Sequence, residues 1–289
     1  MTAYLDLARR GRTNWWCYVL TPVVALALWV VAIAIVFAAA FLAHVIPADF
    51  TQFATDPSHP AYFYGFTGLV FGALAVAFAI AAWAIHGKSF MDIVGPWRWR
   101  QFFAGAGLWL VLVAAGAGVD YLVKPSGFRL TLGPQTLTLA LIATPCLAAQ
   151  TFCEEFIFRG YVTQGVALGL KRPMAAAALS AGIFAAFHIP NGVPQAANAL
   201  VFGFVTALIV MRTTNLAFTW GIHLVNNLFG AVVVVSAGDV LHGSPGVFTQ
   251  ATPGLMWLDV AAVMVAFALV WLLVSRFRSP ASEGPEAAF

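Results

Sequence analysis

Charge is scarce in this chain. Only 9% of its 289 residues are Asp, Glu, Lys or Arg, 62% are hydrophobic, and the mean hydropathy is +0.89. Such values lie far outside the range of soluble globular domains and exclude a water-soluble enzyme of ordinary build. Cysteine is nearly absent as well. Cys17, Cys146 and Cys153 are odd in number, lie in apolar surroundings and lack metal-finger spacing, which argues against a disulfide framework. No Gly-Lys-Ser/Thr follows a glycine-rich stretch, so there is no phosphate loop, and no inverted repeat of the transporter kind is visible. The formal net charge of +3 comes from the flanks of apolar runs and not from a basic patch interleaved with aromatics, so no nucleic acid partner is expected.

What the chain does have is apolar sequence in long runs. A membrane span needs about 20 residues, and such runs lie near 19–46, 62–86, 102–123, 137–158 or beyond, 174–189, 196–211, 215–236 and 255–275. The expected fold is all-α, a polytopic transmembrane helical bundle of about eight spans in contact with the lipid bilayer. The first run is too long for a cleaved signal core and lacks a suitable small-residue cleavage site, so the N-terminus is expected to be retained. Residues 1–136 carry spans without a motif, 137–236 hold the motif-bearing core, and 237–278 form a loop and the last span. The stretch 279–289, rich in Pro, Ser and acid, reads as a disordered tail. Gly68 with Gly72, and Gly165 with Gly169, have the spacing that lets membrane helices approach closely.

The basic residues test this topology separately. Arg9, Arg10, Arg12, Lys88, Arg98, Arg100, Lys171, Arg172, Arg212, Arg276 and Arg278 fall in one alternating set of loops and tails, against only Lys124 and Arg129 in the other. Short basic loops tend to stay in the cytoplasm. Both termini are therefore expected there, and in a prokaryote the membrane would be the plasma (inner) membrane.

Against this background, "TFCEEFIFRG" at Thr151 to Gly160 is anomalous. A charged group at membrane depth costs roughly 2.5–3.5 kcal/mol even on lenient scales, so two glutamates and an arginine there mark a functional site. Most other acids fall in expected loops, tails or span ends. Glu155 and Arg159 stand four apart on one helical face and can pair, whereas Glu154 is rotated about 100° from Glu155 and has no local cation. A buried carboxylate without a cation suits a general base.

Two further motifs join it. In "FAAFHIPN", His188 follows Phe184 by one helical turn. If the chain reverses at Lys171 and Arg172, Glu154 and His188 lie level on adjacent antiparallel helices, each some 25 Å of helix from the turn. In "WGIHLVNN", His223 and Asn227 share a face, while Asn226 is expected to point elsewhere. A base, two imidazoles and an amide converging on one cavity form the inventory for adding water to a carbonyl.

These three motifs, E-E-x-x-x-R at Glu154 to Arg159, F-x-x-x-H at Phe184 to His188 and H-x-x-x-N at His223 to Asn227, resemble the CAAX protease and bacteriocin-processing family. That family is also called Abi or CPBP, and it is related to the Ras-converting CAAX endoprotease. The resemblance covers roughly a third of the chain and implies an intramembrane endopeptidase acting on a peptide or protein substrate, with a lipidated C-terminus as one candidate. It implies that Glu154 and His188 activate water, that His223 and Asn227 stabilise the oxyanion, and that Glu155, Arg159 and Phe184 support the site.

The family is commonly described as metalloprotease. Glu154, His188 and His223 could hold zinc with one position left for water, but there is no H-E-x-x-H helix, and a Glu/His pair can activate water without an ion. The residues alone leave metal dependence open. Cys153 reads as a small apolar filler. The rival reading is a non-enzymatic membrane protein, either a proton-coupled transporter or a scaffold or immunity protein using the same polar cavity.

Overall fold

The computed structural model describes residues 2–251 and 256–276; the expected tail at 279–289 lies outside them. Each expected apolar run becomes helix over most of its length. Six helices are long and apolar enough to cross a membrane, and they identify a multi-pass membrane protein: α2 (Trp15–Leu42), α4 (Pro60–His86), α6 (Trp99–Val123), the continuous segment Pro134–Leu170, α10 (Val193–Thr213) and α12 (Met256–Arg276). Two others are apolar but shorter, α9 (Pro173–Ala186) and the segment Ala217–Val233. The bundle is the all-α one expected.

Length separates these helices physically. The segment Pro134–Leu170 comprises α7 (Pro134–Glu154), a π-helical stretch (Glu155–Val162) and α8 (Thr163–Leu170). At 37 residues it is about 55 Å long, well beyond a hydrocarbon layer of about 30 Å. Its partner α9 has 14 residues and reaches only about 21 Å. It stops where Ile189 precedes Pro190, a position that disfavours helix, and Gly192 with φ of 107° then redirects the chain into α10. The wide π-turn opens the backbone ladder at Glu155 to Val162, the stretch that carries Glu155 and Arg159.

Small residues set the closest helix approaches. A Cβ on Gly68 of α4 would stand 2.9 Å from Cys146 of α7, and one on Gly165 would stand 2.6 Å from the Tyr18 ring. Gly169 meets nothing within 4 Å, so its expected packing role is not seen. The tightest crossing joins α6 to α11 (Ala217–Leu228): a Cβ on Gly105 would collide with the Phe218 carbonyl, and one on Gly221 with the Phe102 carbonyl.

The two ends of the bundle differ. At the basic end, α1 (Thr2–Ala8) and α5 (Phe90–Val94) cover α8, and Arg10 pairs with Asp92 at 2.9 Å. Lys88, only 1% exposed, donates to the Leu7 and Ala8 carbonyls at 3.2 and 2.9 Å. The Tyr4 hydroxyl donates at 2.6 Å to the carbonyl of Arg159, within the π-helical stretch. The other end carries a small three-stranded sheet that the apolar runs did not announce. There β1 (Phe128–Leu130) pairs antiparallel with β3 (Phe248–Gln250), which pairs parallel with β2 (Val234–Ser236).

Candidate active site

The motif residues meet through one imidazole. His223 on α11 presents Nδ1 to Glu155 Oε1 at 2.9 Å and Nε2 to Glu154 Oε2 at 3.4 Å. Glu155 is fully buried and also faces Arg159 Nε at 3.5 Å, as its four-residue spacing predicts. Arg159 is held in turn by Thr206, whose hydroxyl accepts from Nε at 2.9 Å, and its guanidinium lies 4.1 Å from the centre of the Phe184 ring. A buried pair of this kind needs such company, because desolvating two charges costs several kcal/mol per ion. Glu155 therefore links α7 to α11, while Glu154 stands 9% exposed at the edge of a cavity.

That cavity has a volume of about 380 Å³ and is lined by Glu154, His188, His223 and Asn227, which come from α7, the end of α9 and α11. His188 Nδ1 lies 2.9 Å from the Phe184 carbonyl. A carbonyl only accepts, so Nδ1 carries the proton and Nε2 is the acceptor nitrogen of the neutral ring. Phe184 thus serves twice, beneath Arg159 and against His188, whose ring centre is 4.5 Å away.

Several residues that line the cavity were not foreseen. Gln150 donates to Glu154 Oε1 at 3.2 Å, so Glu154 is not without a partner; the clue was its place one turn earlier on the same face. Asn226 does not point elsewhere. It accepts from Trp109 Nε1 at 3.2 Å and donates from Nδ2 to Asn227 Oδ1 at 3.2 Å, which leaves the Asn227 amide N–H groups uncommitted by that bond. Asp239, assigned to a water-exposed loop, is folded back onto the cavity by the sheet, and burial pushes its carboxyl up. Asp259 also lines the cavity, and among the described residues no Lys or Arg does.

The three candidate zinc ligands do not combine as zinc would require. Among the described residues no three His, Cys, Asp or Glu side chains gather around one point, and both His223 nitrogens already face carboxylates. The donors as placed do not fit a tetrahedral ion.

Residues 134–229 match a family described as type II CAAX prenyl endopeptidase Rce1-like. This segment is similar to that family. It spans all three motifs, from Glu154 to Asn227, and takes up a third of the chain. Beyond this segment, a likeness extends along nearly the whole chain to an uncharacterized protein, YyaK of Bacillus subtilis (strain 168). The two are 26% identical over 300 residues, covering 95% of this chain and 97% of YyaK. No solved structure matches.

Proposed function

We propose that this protein is an intramembrane endopeptidase that adds a Glu154-activated water to a peptide carbonyl. The observation that carries the reading is that Glu154, His188, His223 and Asn227 all line one cavity. Glu154 and the Nε2 atom of His188 are acceptors, suited to the two protons of a water. Glu154 takes a proton as the water oxygen attacks the carbonyl carbon. Asn227 Nδ2 then donates to the developing oxyanion, and His223 stands beside it, its ring orientation set by Glu155. The Glu154 proton passes to the leaving amine, so atoms and charge balance over the cycle. Trp109 and Asn226 act one step back, fixing which face of the Asn227 amide is offered.

In this reading water activation uses only the chain's own groups, and a chelator leaves turnover unchanged. The substrate is a peptide or protein segment that can enter from the membrane boundary, with a lipidated C-terminus among the candidates. Ser236 and Gly238 to Leu241, beside the sheet, also line the cavity.

Purified protein in detergent, offered prenylated and unprenylated C-terminal peptides, should cut at least one. Glu154→Gln should lower the rate by about 10²–10⁴-fold while leaving the thermal transition in place. No cleavage above that control overturns the reading. Gradient-driven uptake into vesicles, lost in Glu154→Gln and without any cut peptide, would establish the transporter instead.

A further inference from the structure

The α10 wall of the cavity is unusual in its chemistry. Gln195 and Asn198 lie three residues apart on one face of its first turns, Asn191 lies just before the helix, and all three line the cavity, forming one stripe. Continued by four residues, the stripe reaches Phe202, whose ring centre is 4.7 Å from that of His223. It therefore runs from Asn191, which is exposed, inward to the ring that packs on His223.

One atom of the stripe is unexplained by the fold. Asn198 Oδ1 is buried and has no hydrogen-bond partner among the described residues. Leaving an acceptor in that state costs about 1–3 kcal/mol, whereas a leucine of similar size would carry no such penalty. Glu155 and Arg159 also retain unpaired atoms, but these lie within the ion pair and not on the cavity wall.

We propose that Asn191, Gln195 and Asn198 bind the main chain of an extended peptide, with Asn198 Oδ1 accepting a peptide N–H. The inference rests on the endopeptidase reading and names how its substrate is held. A peptide drawn to this depth loses water from every backbone N–H and C=O, and each must find a partner. A carboxamide offers both a donor and an acceptor, so a row of them can satisfy a backbone whatever its side chains. The wall selects extended conformation, not sequence.

The test compares wild type with Asn198→Leu on several cleaved peptides of unrelated sequence. The expected result is a rise in KM of about tenfold for all of them, from loss of one hydrogen bond, with kcat within about twofold. Replacing the accepted peptide N–H by an ester oxygen, found by scanning positions, should raise the wild-type KM by the same factor and that of Asn198→Leu not at all. An unchanged KM, or an effect confined to one peptide sequence, overturns the proposal and leaves the endopeptidase reading intact. Should Asn198→Leu fail to fold, Gln195→Leu carries the same comparison. Direct binding of a fluorescent peptide to Glu154→Gln, with and without Asn198→Leu, separates the two claims. Asn198-dependent binding without cleavage by wild type keeps the stripe and removes the protease.

Discussion

The two ends of this bundle hold their buried polar groups differently. At the basic end Lys88 is closed onto two carbonyls of α1 and Tyr4 onto the π-helical backbone, while the Tyr18 and Thr21 hydroxyls are buried without a partner among the described residues. At the sheet end the fold orients polar groups and then leaves part of each free. Trp109 and Asn226 fix one side of Asn227 and the Phe184 carbonyl fixes one nitrogen of His188, while Asn198 Oδ1 is left without any partner. Polarity inside a membrane protein can therefore serve cohesion or chemistry, and a free valence that faces a cavity points to the second.

Substitutions can break this contrast. The largest effect expected is on stability, from Lys88→Met. It removes the ammonium from the Leu7 and Ala8 carbonyls, of which Leu7 keeps the Arg10 N–H at 3.2 Å, and should cost about 2 kcal/mol, read as a fall in Tm in detergent, with kcat within about twofold. A large loss of turnover at full folding would show that the basic end takes part in catalysis. Next comes Trp109→Phe, which frees Asn226 to rotate. Turnover should fall by about tenfold, or about 1.4 kcal/mol in the barrier, with KM unchanged in the folded fraction. An unaltered kcat would remove Trp109 and Asn226 from any positioning role.

The smallest effect sharpens the contrast through pH. Burial raises the Asp239 carboxyl above its ordinary value, so the folded chain holds that proton more tightly than the unfolded chain. The stability this contributes is complete below the unfolded value and is lost as pH rises through the folded one. Asp239→Asn should thus match wild type near pH 4 and exceed it by about 1–2 °C in Tm at neutral pH. A gap that widens on acidification would reverse the sign and place the ionised carboxylate among the stabilising groups.

The helical bundle was legible because lipid-facing helices must be apolar along their length, and the Glu155–Arg159 pair because helical spacing is local. Gln150 beside Glu154 was equally local and could have been read in the same way. The rest depends on contacts far apart in sequence. The bond from Glu155 to His223 joins residues 68 apart, and Asp239 reaches the cavity only because β2 and β3 turn the loop back. The π-turn at Glu155 to Val162 has no pattern of its own. It is met from outside by Tyr4 and by Ile93, whose side chain would stand 2.7 Å from a Cβ on Gly160.

The crossing of Gly105 with Gly221 has a consequence for how this protein can vary. Each glycine faces the other helix's main chain, and His223 follows Gly221 by two positions. A methyl group added at either glycine would wedge the two rods apart and carry the imidazole away from both carboxylates. Side chains that were never there thus set the spacing of the reacting groups, and a mutational scan should find these two sites as intolerant as the histidine itself.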